Sequence, residues 1–263
     1  MWGSFVEPQL LTTSRTTIDL SGIDKPIRIA FVSDIHAGPY KKTAYIERIT
    51  KKILAEKPDL VFLGGDMIEN DGTGADETQY LKPLENISSR IPTYAVVGNH
   101  EYGIDEKMQQ ALSLPDVHSH VKEKLESLGI NVMINKLEKI TVRDQSFYLF
   151  GGDEWWHKTL DFSALERRTK SIPTIALIHN PAATWATSVH AIDLMLSGHT
   201  HGGQIRLPFV GPIGRVDGVV PLSWYKGLNE YNTMKLFVTS GAGEAGPRTR
   251  LFNPPEIILI TLR

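Results

Sequence analysis

The 263-residue chain contains no cysteine, no long apolar run and no excess of charge of either sign. Without cysteine it has no disulfides and no thiolate ligands, so a metal ion would have to be held by nitrogen and oxygen donors. No apolar stretch approaches the roughly 20 residues that a membrane helix needs. The first residues also lack the basic and apolar regions of a signal peptide. The sequence as written therefore predicts a soluble protein.

The charge balance bears on possible partners. Lysine and arginine number 28 and the acidic residues 30, so the formal net charge is −2. A protein that binds the phosphates of a nucleic acid usually has a basic surface. A nuclease is therefore disfavoured, although not excluded, and we expect no nucleic-acid partner. No protein partner can be inferred.

Short apolar runs predict buried strands, and two amphipathic stretches predict helices. Early alternation of strands and helices, followed by strand-rich sequence, predicts a mixed α/β fold with packed sheets. No linker, repeat or low-complexity tract divides the chain, so we expect one domain over residues 1–263, in which residues 1–27 lead into the first core strand. The predicted strands are residues 28–33, 60–64, 93–97, 147–150, 174–178, 192–196, 235–238 and 256–261, and the predicted helices are residues 45–56 and 121–128.

Polar residues cluster where five of the predicted strands end. In open α/β sheets, ligands bind at the carboxyl ends of strands, because the loops there converge on one crevice. Five loops that deliver His, Asp and Asn to one edge form a candidate site. The blocks are Asp34-Ile35-His36, Gly65-Asp66, Gly98-Asn99-His100-Glu101, His179-Asn180 and Gly198-His199-Thr200-His201.

Imidazole and carboxylate donors of this kind suit Mn, Zn or Fe(II), and a carboxylate can bridge two ions. Two such ions can clamp the attacking and leaving oxygens of a phosphoryl displacement, and a water that bridges them becomes a hydroxide nucleophile near neutral pH. Two divalent ions outweigh two carboxylates and one hydroxide in charge. The residual positive charge would attract an anionic phosphate ester.

Taken in order, the five blocks resemble the signature of the calcineurin-like metallophosphoesterases. The resemblance spans most of residues 28–204 and includes every metal-binding position of that signature. It implies an α/β (α+β) fold, namely a four-layer αββα sandwich of two mixed β-sheets flanked by helices, with two divalent metal ions at the sheet edge. It also implies an enzyme that hydrolyses phosphoric ester bonds.

The resemblance also implies roles for individual residues. His100 is the expected catalytic residue, which would hydrogen-bond the phosphate and help to protonate the leaving group, since His is easily tuned for proton transfer near neutral pH. Asn99 and His100 are both expected to contact the substrate. One metal ion would take Asp34, His36 and His201, the second would take Asn99, His179 and His199, and Asp66 would bridge the two ions.

The third residue after the expected bridging Asp66 bears on the metal. Purple acid phosphatases of this superfamily carry a tyrosine there, which binds ferric iron. Here the position is Glu69. Ferric–tyrosinate chemistry is therefore not expected, and Mn, Zn or Fe(II) is favoured.

A closer resemblance, to the YkuE/YaeI-like branch and the transmembrane proteins with a metallophosphoesterase domain, covers nearly the whole chain. In many members the Gly-x-x-x-Glu-Pro segment follows a membrane helix or an export signal. Two explanations stay open, a trimmed chain that belongs at a membrane or cell envelope and a naturally soluble member. The blocks that carry this resemblance are Trp2-Gly3 to Glu7-Pro8, Gly198 to Gln204 and Pro254-Pro255-Glu256-Ile257.

The branch implies a lipid-linked phosphoester as the leading substrate, of the phospholipid or UDP-2,3-diacylglucosamine type, and with it association with a membrane surface. The motif does not separate a phosphodiesterase or pyrophosphatase from a cyclic-nucleotide phosphodiesterase or a broad phosphomonoesterase. A metal-binding scaffold without turnover is the non-enzyme alternative. The presence of every ligand and of His100 argues against it.

The pattern Gly241-x-Gly243-x-x-Gly246 superficially matches a dinucleotide fingerprint. That motif has to open a helix within a βαβ unit. Here Pro247 follows directly, so we reject the match. For Arg248 and Arg250 two interpretations stay open, binding of substrate anions and a plain surface position.

Two further groups have both a structural and a functional interpretation. Trp155 and Trp156 either form the floor of a substrate pocket or pack against the core. His118 and His120 precede a predicted helix, and we expect them to be solvated rather than to form a third metal site.

Overall fold

The computed structural model describes residues 1–104, 114–187, 192–215 and 220–263. Within these ranges, α-helices alternate with strands early in the chain, and short 3-10 turns connect the later strands. The α-helices are α1 (Thr43–Glu56), α2 (Glu85–Ser88), α3 (His118–Ser127) and α4 (Thr184–Thr187). The strands are β1 (Thr12–Ile18), β2 (Ile27–Val32), β3 (Leu60–Gly64), β4 (Thr93–Val96), β5 (Asn131–Val132), β6 (Lys136–Val142), β7 (Gln145–Gly151), β8 (Thr174–Leu177), β9 (Leu194–Ser197), β10 (Arg206–Leu207), β11 (Gly211–Pro212), β12 (Gly227–Tyr231), β13 (Met234–Val238) and β14 (Glu256–Leu262).

Most of these strands form two six-stranded sheets. The first has the order β1-β14-β2-β3-β4-β5 and the second the order β12-β13-β9-β8-β7-β6, while β10 and β11 form a separate hairpin. In the first sheet β2 to β5 are parallel, and β14 runs antiparallel to β2. In the second sheet β7, β8, β9 and β13 are parallel, and the edge strands β6 and β12 are antiparallel to their neighbours. Both sheets are therefore mixed, as predicted.

Strand β2 shows how alternation builds two cores from one strand. Successive side chains of a strand point to opposite faces. Ile29 and Phe31 belong to a core shared with the second sheet, whereas Ala30 and Val32 pack in a core that includes α1. Strand β8 repeats the pattern in the second sheet.

Helix α1 covers the outer face of the first sheet. Its buried residues Ile46, Ile49 and Ile53 recur at intervals of three or four, which places them on one face of the helix. The helix ends at Lys57, which has a left-handed φ of 49° and donates its backbone N–H to the carbonyl of Leu54. The predicted helix over residues 45–56 is confirmed and begins two residues earlier.

The layer outside the second sheet is thinner. In the described part of the chain it consists of α4 and of 3-10 turns at Ser163–Arg167, Pro181–Ala183 and Leu222–Tyr225. Phe162 and Leu165 of this layer pack against Phe150 of β7. The predicted order of helix, sheet, sheet and helix is confirmed, with short turns in place of long helices in the fourth layer. Within the described ranges, no helix is long and apolar enough to cross a bilayer.

All eight predicted strands are present, with ends shifted by one or two residues at most. The sequence pattern does not predict β1, which lies within residues 1–27. This strand consists mainly of threonine, serine and arginine and is only partly buried, so it carries no apolar face. It forms by pairing in parallel with β14 at the edge of the first sheet.

Candidate metal centre

The candidate ligands follow five strands whose carboxyl ends lie together. Strands β2, β3 and β4 are parallel neighbours in the first sheet, and β8 and β9 are parallel neighbours in the second. Loops at such strand ends converge. The residues that follow these strands include Asp34, Asp66, Asn99, His179 and His199.

The first cluster consists of Asp34, His36 and His201, whose potential ligand atoms all lie within 4.8 Å of one another. The Nε2 atoms of His36 and His201 are 3.1 Å apart, and His201 Nε2 is 3.6 Å from Asp34 Oδ1. Asp34 Oδ2 is buried and has no hydrogen-bond partner among the residues that the structure describes. A buried carboxylate oxygen without a partner is costly. A metal ion would satisfy it.

The second cluster consists of Asp66, His179 and His199, again within 4.8 Å of one another. Asp66 Oδ2 is 3.1 Å from His179 Nε2 and 3.7 Å from His36 Nε2, so this carboxylate touches both clusters. Asn99 Oδ1 is 2.9 Å from His199 Nδ1. The structure therefore brings together all seven residues that the sequence analysis named as ligands, with Asp66 between the two groups.

The buried carboxylates draw positive charge into the site. Burial disfavours the charged form of His179, but attraction to Asp66 outweighs it and raises the pKa to about 10. Burial likewise opposes the charge on His36, whereas Glu69 and Asp66 raise its pKa to about 9. Protons or metal ions can supply the charge that these carboxylates require.

His199 and His201 behave in the opposite way. Burial, together with the neighbouring charged histidines, lowers the pKa of both rings well below the usual value. Both imidazoles are therefore neutral at physiological pH, which is the form that binds a metal ion.

Several candidate ligands hold a backbone conformation that is rare outside glycine. The φ angles are 53° for Asp34, 48° for His36, 51° for Asp66, 68° for His199 and 49° for His201. Such conformations persist only where the surroundings hold them, and they concentrate at functional sites.

Two glycines allow the strand ends to approach each other closely. A Cβ atom on Gly198 would lie 2.2 Å from Asp34 Oδ2, and one on Gly98 would lie 2.2 Å from Asp66 Oδ1. Any larger residue at either position would displace a candidate ligand carboxylate.

Glu101 organises the site, a role that the sequence analysis did not assign. Its side chain is fully buried. It accepts hydrogen bonds from the backbone N–H groups of Asp66 at 3.1 Å, Met67 at 2.7 Å and Gly98 at 2.7 Å. Glu101 thereby joins the loops after β3 and β4. An acidic residue directly after Asn99-His100 was the available signal, but its burial is visible only in three dimensions.

His100 lies at the edge of the first cluster. Its backbone N–H donates to Asp66 Oδ1 at 3.0 Å, and its Nδ1 donates to the carbonyl oxygen of Glu69 at 2.6 Å. That contact assigns a proton to Nδ1. The ring lies 4.5 Å from the ring of His36 and perpendicular to it.

Glu69, the residue at the position of the ferric-iron tyrosine, is also part of the site. Its Oε2 lies 2.9 Å from His36 Nδ1. His36, Glu69 and His100 form a third group of potential ligand atoms within 4.8 Å. A carboxylate thus occupies the place where a phenolate would be needed for ferric–tyrosinate chemistry.

A cleft of about 240 Å³ opens beside this group and is lined by His36, Tyr40, Glu69 and Arg248, among others. The Arg248 guanidinium lies 4.0 Å from the centre of the Tyr40 ring, a cation–π contact. Arg248 therefore stands in the same cleft as a candidate ligand.

The interpretations offered for Arg250 are wrong, because this side chain is fully buried. Its guanidinium donates to the carbonyl oxygens of Ser240 at 2.6 Å, Gly243 at 3.0 Å and Asn253 at 3.0 Å. Its Nη2 also lies 3.5 Å from His201 Nδ1. Arg250 is a structural residue behind the candidate centre.

Both tryptophans pack against hydrophobic clusters, Trp156 against Val97, Tyr102 and Ile104. Trp155 packs against the outer core of the second sheet. The Trp156 ring lies 4.4 Å from the ring of His199, at a steep angle, and so borders the second cluster.

His118 and His120 each contact an acidic side chain outside the two clusters. His118 stacks on Tyr102 at 4.3 Å, with its Nδ1 2.6 Å from Asp116. His120 lies 3.2 Å from an Asp76 oxygen. The groups of potential metal ligands among the described residues include neither histidine.

Comparison with known proteins identifies the family. Residues 27–203 match the calcineurin-like phosphoesterase family, and the chain belongs to it. It is thus a hydrolase that acts on phosphoric esters. The chain is 30% identical over 239 residues to phosphodiesterase YaeI of Escherichia coli. The aligned region covers 90% of this chain and 82% of that protein.

Other relatives support the predicted branch. The chain is 27% identical over 273 residues to the uncharacterized metallophosphoesterase YkuE of Bacillus subtilis, covering 100% of this chain and 89% of that protein. It spans only 62% of the length of further relatives from Campylobacter jejuni and Helicobacter pylori. Among solved structures, a purple acid phosphatase from yellow lupin seeds superposes with a TM-score of 0.51 at 15% identity, over 86% of this chain and 46% of that one. At that identity the likeness shows a shared fold alone.

Proposed function

We propose that this protein hydrolyses phosphodiester or pyrophosphate bonds with a dinuclear metal centre, and that its substrate is lipid-linked. The observation that carries the proposal is the pair of buried Asp and His clusters joined by Asp66. Nitrogen and oxygen donors in this mixture suit Mn, Zn or Fe(II). Two such ions would supply Lewis-acid stabilisation of the phosphoryl oxygens and would lower the pKa of a shared water.

The residues around this centre have separate proposed roles. The neutral rings of His199 and His201 and the unsatisfied oxygen of Asp34 support the assignment of ligands. In the proposed arrangement, Asp34, His36 and His201 would hold one ion, Asn99, His179 and His199 would hold the other, and Asp66 would contact both.

His100 is the proposed proton donor. The bond from Nδ1 to the Glu69 carbonyl orients the ring, so that Nε2, when protonated, can donate to the phosphate and then to the leaving group. Arg248, in the adjoining cleft, is proposed to attract a second anionic group of the substrate.

Exposed apolar side chains on three neighbouring segments support a lipid-linked substrate. Three segments carry them, and we call this set the apolar rim. The backbone N–H of Arg250 donates to the Gly3 carbonyl at 2.9 Å, and the backbone N–H of Arg206 donates to the Leu251 carbonyl at 2.9 Å. The three segments therefore meet at Arg250, whose side chain contacts His201. The rim consists of Trp2, Phe5, Leu207, Phe209, Val210 and Phe252.

The composition of the rim favours a lipid surface. Phe209 is fully exposed at the tip of the β10–β11 hairpin, and Val210 beside it is 72% exposed. Residues 205–215 contain Arg206 and Arg215 and no acidic residue. Apolar groups flanked by arginine are typical of surfaces that insert into the interface of an anionic membrane. We infer that the rim holds the acyl chains of a lipid-linked substrate at the membrane surface.

Four substrates separate the candidate activities: bis-p-nitrophenyl phosphate, p-nitrophenyl phosphate, cyclic AMP and UDP-2,3-diacylglucosamine in mixed micelles. We expect turnover of the diester and of the lipid-linked pyrophosphate after loading with Mn²⁺. Equal activity on the monoester and the diester would contradict the preference for diesters, and turnover of cyclic AMP alone would favour a cyclic-nucleotide phosphodiesterase. No turnover of any ester by metal-loaded protein would favour a scaffold.

The contribution of the rim can be tested separately. Phe209→Ser should lower kcat/KM for the lipid-linked substrate by roughly tenfold and leave bis-p-nitrophenyl phosphate unaffected, because only the former has acyl chains to bury. Leu228→Ser is a matched control, since Leu228 is 44% exposed on β12, outside the three rim segments. An equal loss on both substrates would refute the role of the rim.

A further inference from the structure

A chain of hydrogen bonds joins the N-terminal segment to the candidate metal centre. It begins at Glu7, in the 3-10 turn Glu7–Gln9, whose side chain is buried. Glu7 Oε1 accepts the backbone N–H of Asn253 at 2.6 Å, and Oε2 accepts Trp2 Nε1 at 3.0 Å. Because 246 positions separate Glu7 from Asn253, the contact depends on the tertiary fold.

Asn253 connects Glu7 to His201 through hydrogen bonds. It is 1% exposed, and each of its polar groups has a partner. Its Nδ2 donates to the carbonyl oxygen of His201 at 2.8 Å. Its Oδ1 accepts Lys226 Nζ at 3.2 Å, and its carbonyl accepts Arg250 Nη1 at 3.0 Å. An amide held at every polar atom has one orientation, so Asn253 fixes the peptide of His201.

That peptide has an unfavourable backbone conformation. His201 has a φ of 49° and Gly202 a φ of 61°, and for a residue other than glycine such a φ requires support from its surroundings. A Cβ on Gly202 would lie 2.9 Å from Asn253 Nδ2, so the two segments already pack as closely as glycine allows. The direction of the His201 ring therefore depends on Asn253.

We propose that Glu7, acting through Asn253, is a positioning residue that holds the His201 imidazole toward Asp34 and His36. This inference rests on the dinuclear centre proposed above, in which His201 binds one of the two ions. Groups behind a metal ligand tune affinity by orienting it. The N-terminal segment thereby contributes to the binding of one metal ion, although none of its residues is a ligand.

The test is titration of the metal-depleted full chain with Mn²⁺ by calorimetry, with circular dichroism to check the fold. Glu7→Ala removes both acceptors. Glu7→Gln keeps the shape but turns an amide N–H₂ toward either Trp2 or Asn253, both of which are donors. The matched control is Arg48→Ala, because Arg48 Nη2 donates to the Gln9 carbonyl at 2.6 Å and so anchors the same segment without contacting Asn253.

Glu7→Ala is expected to weaken one of the two Mn²⁺ affinities by roughly tenfold and to leave the other unchanged. Glu7→Gln should show a smaller loss of the same affinity, and it decides the question if Glu7→Ala does not fold. Arg48→Ala should bind both ions as the wild type does. Wild-type affinities in both Glu7 variants, or an equal loss in Arg48→Ala, would overturn the proposal. A wild-type chain that binds a single Mn²⁺ would instead remove the dinuclear centre itself, and this inference with it.

Discussion

Metal uptake by the metal-depleted protein is expected to release protons, and their number follows from the environment of two histidines. The pKa is about 9 for His36 and about 10 for His179, so both rings are almost fully charged at pH 7. A histidine has to be neutral to bind a metal ion. His199 and His201 are already neutral and contribute nothing. These two histidines should therefore contribute about two of the protons released when the centre fills at pH 7, and a metal-bound water that ionises would add its own.

The direction of the pH dependence follows from the same groups. Protons and metal ions compete for His36 and His179, so the apparent metal affinity should rise with pH and level off as pH passes about 10. Without metal, the raised pKa values stabilise the fold. That stabilisation is fully present below the unfolded pKa of about 6.5. It is lost as pH rises through about 9 and about 10.

Calorimetric titration in buffers of different ionisation enthalpy measures the released protons as the slope of observed heat against buffer enthalpy. His120→Asn is the control, because His120 is exposed and pairs with Asp76 away from the centre, and its slope should equal that of the wild type. His179→Asn should lower the count by about one proton. A slope of zero in the wild type would mean that both rings are neutral before binding, which would refute the argument from the buried carboxylates.

Three substitutions test the parts of the centre. Asp66→Ala should lose both ions and all activity, because its carboxylate lies between the clusters; full retention of one ion by elemental analysis would show that it is not shared. His100→Ala should keep both ions while kcat falls by roughly 10²- to 10⁴-fold, and release of metal would contradict its assigned role. Gly198→Ala would place a Cβ 2.2 Å from Asp34 Oδ2. It should lower metal content and destabilise the protein by about 1–3 kcal/mol. The control Gly214→Ala points into open space, and equal melting temperatures for the two variants would count against the close-approach argument.

The buried strands and the strand-end residues were predictable because both are local signals. An apolar run such as Leu60–Gly64 is buried on both faces, and the local sequence alone predicts it as a strand. Asp34, Asp66 and Asn99 follow such runs directly. Since loops at the carboxyl ends of parallel strands converge, their proximity could be expected as well.

Other features were not predictable, because their cause lies far away in the chain. Strand β1 has no apolar face and exists through its pairing with β14. Arg250 looks like a surface residue in sequence, yet it is buried, because the carbonyl oxygens of three other residues surround its guanidinium.

The sequence by itself determined the positions of the eight buried strands, the N/O donor chemistry and the family, since these depend on residue type and spacing along the chain. Only the tertiary structure decided how those donors are held. Glu101 joins two loops through backbone N–H groups, and Glu7 reaches His201 through Asn253. The physical reason is that a buried carboxylate is stable only where hydrogen-bonding N–H groups surround it. Those N–H groups come from segments that meet only in the folded chain.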